Sequence, residues 1–179
     1  MANYLLVDGY NIIHSDEALT RIAEDSLETA RIKLCDLLCE FAALSVYRII
    51  VVFDAHLIAG GVGSDTDYGN IKVVFTKEAE TADHYIERAA YGMARGKRDK
   101  ITVATSDVLE QLIILGSGAA RIGADALLAE IETARKQMRR RHILNRPVKN
   151  NPFEGLLDKE TAAILEDMRL GNPSSGGKP

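Results

Sequence analysis

Tyr4-Leu5-Leu6-Val7-Asp8-Gly9-Tyr10-Asn11 is the stretch whose reading decides the fold. Its apolar run is too short for an ordinary helix and ends at a turn-forming Asp-Gly pair, so it reads as a buried strand. Asp8 then stands at the strand's carboxyl end, the side of an open α/β sheet on which ligands bind, with Asn11 close behind it. Three more apolar segments repeat the arrangement. Ile49-Ile50-Val51-Val52-Phe53 runs into Asp54, Val73-Val74-Phe75-Thr76 precedes Glu80-Thr81-Ala82-Asp83, and Ile101-Thr102-Val103-Ala104 runs into Thr105-Ser106-Asp107. An Asp or Ser after a strand also caps the next helix, and for each position that reading stands beside the functional one. Four strand-end acids in one small domain nevertheless argue for a shared rim.

The segments between them carry helical periodicity. Asp25 with Glu28 resembles a capping pair, and Leu27, Ala30, Leu34, Leu37, Leu38, Phe41 and Leu44 then recur at three- and four-residue steps, a stripe for packing on a sheet. Thr81 is placed to cap a helix to Arg95 with Ala82, Ile86, Ala89, Ala90 and Met93 inward, while Glu80, Asp83 and Glu87 share another face. Like charges so spaced repel, so a metal ion, an Arg or plain solvent must offset them. A short helix is expected over 108–115, a fifth strand over 119–122, and a long helix from Ala124 with Leu127, Leu128, Ile131, Ala134 and Met138 inward. Residues 12–24 read as irregular or partly helical. The Gly-rich stretch 55–70 reads as a loop, either a flap over the crevice or a plain connection, and it lacks both the P-loop ending and a GxGxxG. Strands alternating with helices give a three-layer α/β/α sandwich on a mainly parallel sheet of about five strands. The expected organisation is a domain over 1–144, a linker and C-terminal helix over 145–170, and a disordered tail over 171–179.

Composition narrows the function. The 179 residues, 46% hydrophobic, suffice for one well-cored domain. The net charge of −4 gives no bulk attraction to nucleic acid, so any such role rests on local patches. Two basic runs qualify: Lys97, Arg98 and Lys100, and the acid-free region from Thr133 to Asn151 with Arg135, Arg139 and Arg140. A solvated helix face explains these runs equally well. Cys35 and Cys39 imply no disulfide framework and lack metal-site partners, so they read as small core side chains. No signal-peptide pattern and no membrane-length apolar run is present, which makes a cytoplasmic protein the expectation.

Carboxylates converging at strand ends without a Cys or His cluster suit hard divalent cations such as Mg²⁺ or Mn²⁺, which prefer oxygen ligands. Ions held this way clamp a phosphodiester and activate water, so little other catalytic machinery is needed. His14, His56 and His84 lie near motif acids, but a lone His is more often structural. Leu6-Val7-Asp8-Gly9-Tyr10-Asn11, Val51-Val52-Phe53-Asp54-Ala55-His56, Phe75-Thr76-Lys77-Glu78, Glu80-Thr81-Ala82-Asp83, Ala104-Thr105-Ser106-Asp107, Glu110-Gln111 and Gly116-Ser117-Gly118-Ala119 together resemble the YacP-like NYN-domain family. The order and spacing of these motifs make the match specific.

That resemblance implies a PIN-like fold and metal-dependent RNA endonuclease activity, with Asp8, Asp83 and Asp107 as the metal-binding catalytic cluster and Asn11 and Asp54 assisting. On this reading Glu80 also supports the cluster, Thr105 and Ser106 orient ligands or phosphate, and the basic runs hold single-stranded RNA, as in mRNA decay or RNA processing. The family tends to carry a Ser-Ala-Arg-Glu-Leu-like sequence where this chain has Gly123-Ala124-Asp125-Ala126-Leu127, a departure that bears on substrate contacts more than on the chemistry. Two rivals stand beside this reading. One is a non-cleaving module that binds RNA or the ribosome. The other is a phosphatase with an Asp nucleophile, which wants a second acid two residues on, where Tyr10 stands instead.

Overall fold

The computed structural model describes residues 2–54, 62–77, 80–94, 99–107 and 118–144. The first strand, β1 (Asn3–Asp8), lies mid-sheet and buries its last four residues. It pairs in parallel with β2 (Tyr47–Phe53) on one side and β5 (Lys100–Ala104) on the other, so that Val7 faces both Val51 and Ala104. With β3 (Val62–Tyr68), β4 (Ile71–Lys77) and β6 (Ala120–Ile122) the order is β3-β4-β2-β1-β5-β6, and only β3 runs antiparallel. The chain builds outward from β1 through β2 and β4, then returns to start β5 on its other flank. The resulting switch point lies beyond the carboxyl ends of β1 and β5, where open α/β sheets bind ligands.

Alternation along the strands divides the core in two, because successive side chains point to opposite faces. Leu5, Val7, Ile49, Val51, Phe53, Ile71 and Val73 pack beneath α1 (Gly9–Ser15), α2 (Glu17–Asp25), α3 (Leu27–Leu44) and α5 (Ala124–Leu144). Leu6, Val52, Val74, Ile101 and Val103 meet α4 (Ala82–Ala94) through Ala82, Ile86 and Ala90. The expected three-layer α/β/α architecture is therefore present, with six strands among the described residues in place of about five.

The additional strand corrects the loop expectation over 62–70, while residues 55–61 lie outside the described residues. Val62–Tyr68 pairs with β4 through a two-residue turn at Gly69 and Asn70, and Gly69 has φ +59°, as the first position of a II′ turn requires. Its residues are polar because an edge strand shows both faces to water, which removes the alternation that marks a half-buried strand. Residues 12–24, read as irregular or partly helical, fall in two helices, with Asp16 ending α1 and capping α2 by accepting the Leu19 N–H at 2.8 Å. Ser26 caps α3, one residue beyond the expected Asp25. Leu44, at the end of α3, and Met138, in the distal part of α5, both expected inward, are exposed.

The chain divides into two compact units, Met1–Arg140 and Arg141–Pro179. The helix expected over 108–115, the linker, the C-terminal helix and the tail lie outside the described residues. Among the described residues no helix is long and apolar enough to cross a membrane.

Candidate active site

Asp8 is the last residue of β1 and the N-cap of α1, with a backbone in the extended region and a side chain that accepts the Asn11 N–H at 3.1 Å. The capping reading of this residue is therefore realised. The next residue must be glycine: a Cβ on Gly9 would lie 2.2 Å from a ring carbon of Phe53. That close approach drops the helix against the sheet and leaves Asp8 on the floor of a cleft of about 480 Å³. Asp8, Tyr10, Asn11, His14, Asp54, Thr81, Ala82, Asp83 and Asp107 line this cleft. The acids come from the ends of β1, β2 and β5 and from the first turn of α4. Thr81 starts that turn as expected, its hydroxyl accepting the His84 N–H at 3.3 Å.

The acids differ in their access to water: Asp8 is buried, whereas Asp83 and Asp107 are exposed. Asp8 is 8% exposed. Burial pushes its pKa up to about 6, with the charges of Asp83 and Asp54 adding to the rise and the Asn11 and Tyr10 N–H groups opposing it. Asp83 is also raised, first by desolvation and then by Asp107 and Asp54, while His84 pulls the other way. Neither Asp8 nor Asp83 forms an ion pair among the described residues.

The other expected site residues take more specific places. Asn11 lines the cleft, and its Oδ1 accepts the Ser106 N–H at 2.9 Å, tying α1 to the loop after β5 across 95 residues of sequence. Thr105 is fully buried and its hydroxyl accepts the Asp107 N–H at 3.1 Å, while the Ser106 hydroxyl accepts the Ala124 N–H at 3.1 Å at the start of α5. Both hydroxyls shape the loop that presents Asp107. Glu80 pairs with Arg88 and is not among the residues lining the cleft, so the offset for its charge is an arginine. Arg135 pairs with Glu40 at 3.1 Å and is half-buried, whereas Lys100, Arg139 and Arg140 are exposed. Lys97, Arg98 and His56 lie outside the described residues. Tyr10 is a wall of the cleft and also core, packed edge to face on Phe53 at 5.2 Å.

An oxygen-rich, net-negative cleft has the donor chemistry for a hard divalent cation. A buried carboxylate without a cationic partner is the group such an ion would stabilise. As arranged here, no three His, Cys, Asp or Glu side chains among the described residues are grouped closely enough to hold one ion. The chemistry of the donor set and its charge suit a metal ion.

Comparison with known proteins agrees with the geometry. The YacP-like NYN domain matches residues 5–170. The Bacillus subtilis (strain 168) protein YacP is 43% identical over 169 residues, covering 94% of this chain and 97% of that protein. Among solved structures, Rae1 (YacP) from Bacillus subtilis is similar with TM-score 0.69 and 37% identity over 98% of this chain and 99% of that one. A mutant form of the same Bacillus subtilis protein is similar with TM-score 0.70 and 35% identity over 93% of this chain and 99% of that one. A buried strand-end aspartate at the switch point, facing acids from three other elements, is thus set within the PIN-like, nuclease-type architecture of the YacP-like NYN-domain family, and to that family this chain belongs.

Proposed function

We propose that the protein is a metal-dependent endoribonuclease that cleaves single-stranded RNA. The observation that carries this reading is the buried carboxylate of Asp8, which has no ion-pair partner among the described residues and lines one cleft with Asp54, Asp83 and Asp107. Asp8, Asp83 and Asp107 would hold Mg²⁺ or Mn²⁺. Bound there, the ion would supply a nucleophilic water at neutral pH and charge stabilisation at the phosphate. The chain's own residues do the positioning. The Asn11 N–H fixes the Asp8 carboxylate from below, and the Asn11 side chain with the Thr105 and Ser106 hydroxyls sets the loop carrying Asp107. Asp54 adds negative charge beside Asp8. Exposed Arg139 and Arg140 on α5 suit the RNA backbone, through a charge term that weakens with salt.

End-labelled single-stranded RNA incubated with the protein and Mn²⁺ tests this directly. Cleavage is expected with Mn²⁺, none with chelator, and none with Asp8→Asn. Cutting that survives Asp8→Asn would remove the reading. RNA bound but left intact under every metal condition would select the non-cleaving module instead. An mRNA target, a ribosomal partner and a cytoplasmic setting belong to the same proposal, and mapping cleavage ends in cells with and without intact Asp8 checks them.

A further inference from the structure

A second cavity, of about 250 Å³, lies between α3 and the β3–β4 hairpin, with Glu28, Arg31, Phe53, Thr66, Tyr68 and Phe75 in its lining. Phe53 and Phe75 are register partners on β2 and β4, and their rings stack with centroids 5.6 Å apart. The Arg31 guanidinium sits 5.9 Å from the Phe75 centroid and donates to the Tyr10 hydroxyl at 3.0 Å. Tyr10 packs on Phe53 and lines the acid cleft. The two cavities therefore share a wall, with Tyr10 on the acidic side and Phe53 and Arg31 on the aromatic side.

Phe53 is fully buried, so the aromatic side chains open to a guest are Phe75 and Tyr68, beside the Arg31 guanidinium; on such surfaces unstacked bases of single-stranded RNA settle, because every base offers a π-face. An aliphatic guest would fill the volume but gain nothing from the cation. Arg31 has N–H groups beyond the one given to Tyr10, and Glu28 supplies an acceptor, so ring nitrogens and exocyclic groups would find partners. We propose that this pocket receives one nucleobase of the RNA strand whose phosphate lies in the acid cleft, an inference that rests on the nuclease reading above. The pocket would set where along the strand the cut falls, while the carboxylates set the chemistry.

The test uses the full-length protein and a short single-stranded RNA in which each position in turn is replaced by an abasic ribose. One position beside the cut is expected to lose about tenfold or more in kcat/KM when its base is removed. In Thr66→Trp, which fills the pocket from an exposed strand position, and in Phe75→Ala, which removes a stacking face, that penalty disappears. The readout is the ratio of kcat/KM for intact and abasic RNA within each variant, and thermal melts report that both variants are folded. A flat scan, or an undiminished penalty in Thr66→Trp, overturns the pocket while wild-type cleavage of intact RNA keeps the nuclease reading. Absence of both cleavage and RNA binding removes the two together.

Discussion

Asp8 carries two opposed demands, and its neighbours show how they are met. As an N-cap it satisfies the Asn11 N–H; as a buried anion beside other carboxylates it is held in a state that folding disfavours. Its pKa rises on folding, so the fold prefers the protonated form, and stability is lost as pH climbs from about 4 through about 6. Ionised Asp8 costs on the order of 3 kcal/mol at neutral pH. Asn keeps the capping acceptor and lacks the charge. Asp8→Asn is therefore expected to melt higher than wild type above pH 7 and to lose that advantage near pH 4, as thermal melts across pH would show. A wild type that melts higher at pH 7.5 would contradict this. Gly9→Ala has the opposite character: its Cβ would strike the Phe53 ring, and overpacking of about 1–3 kcal/mol should appear as a lower denaturation midpoint.

The elements that matter most are the ones that connect distant parts of the sequence. Just after β5, Ser106 is held through two of its groups, its N–H donating to Asn11 and its hydroxyl accepting from the Ala124 N–H. Ser106→Ala should cost about 0.5–2 kcal/mol in urea unfolding through the lost contact at the start of α5. It should also reduce cleavage more than that loss explains, because Asp107 follows directly. Rates at wild-type level would show that the loop is set without this bond. These two contacts could not be read from sequence, since Asn11 and Ser106 are 95 residues apart and nothing local marks the pair. The acids they position were legible, because a buried strand ending at Asp is a period-and-punctuation signal. Strand β3 was not, since Gly63-Ser64-Asp65-Thr66-Asp67 has no buried face to leave a pattern. The role of Glu80 was half legible: its spacing called for an offsetting charge, but only the fold identifies Arg88 as that partner.

For the whole molecule, a net charge of −4 leaves any attraction to RNA to local patches, and the exposed Arg139 and Arg140 in the distal turns of α5 are such a patch. Replacing Arg139 and Arg140 together with Gln should lower RNA affinity and flatten its salt dependence by up to about two counterions. Arg135→Gln, which breaks the pair with Glu40, should instead register mainly in stability. Equal salt slopes in all variants would assign the basic run to a solvated face. Everything else depends on whether the acids work as one cation site. Mn²⁺ titration followed by electron paramagnetic resonance of the free ion, on wild type and on Asp8→Asn, Asp83→Asn and Asp107→Asn, asks this without reference to RNA. A saturable site weakened at least tenfold by each single substitution is the expected result, and Mn²⁺ binding that is unchanged in all three variants would contradict the account.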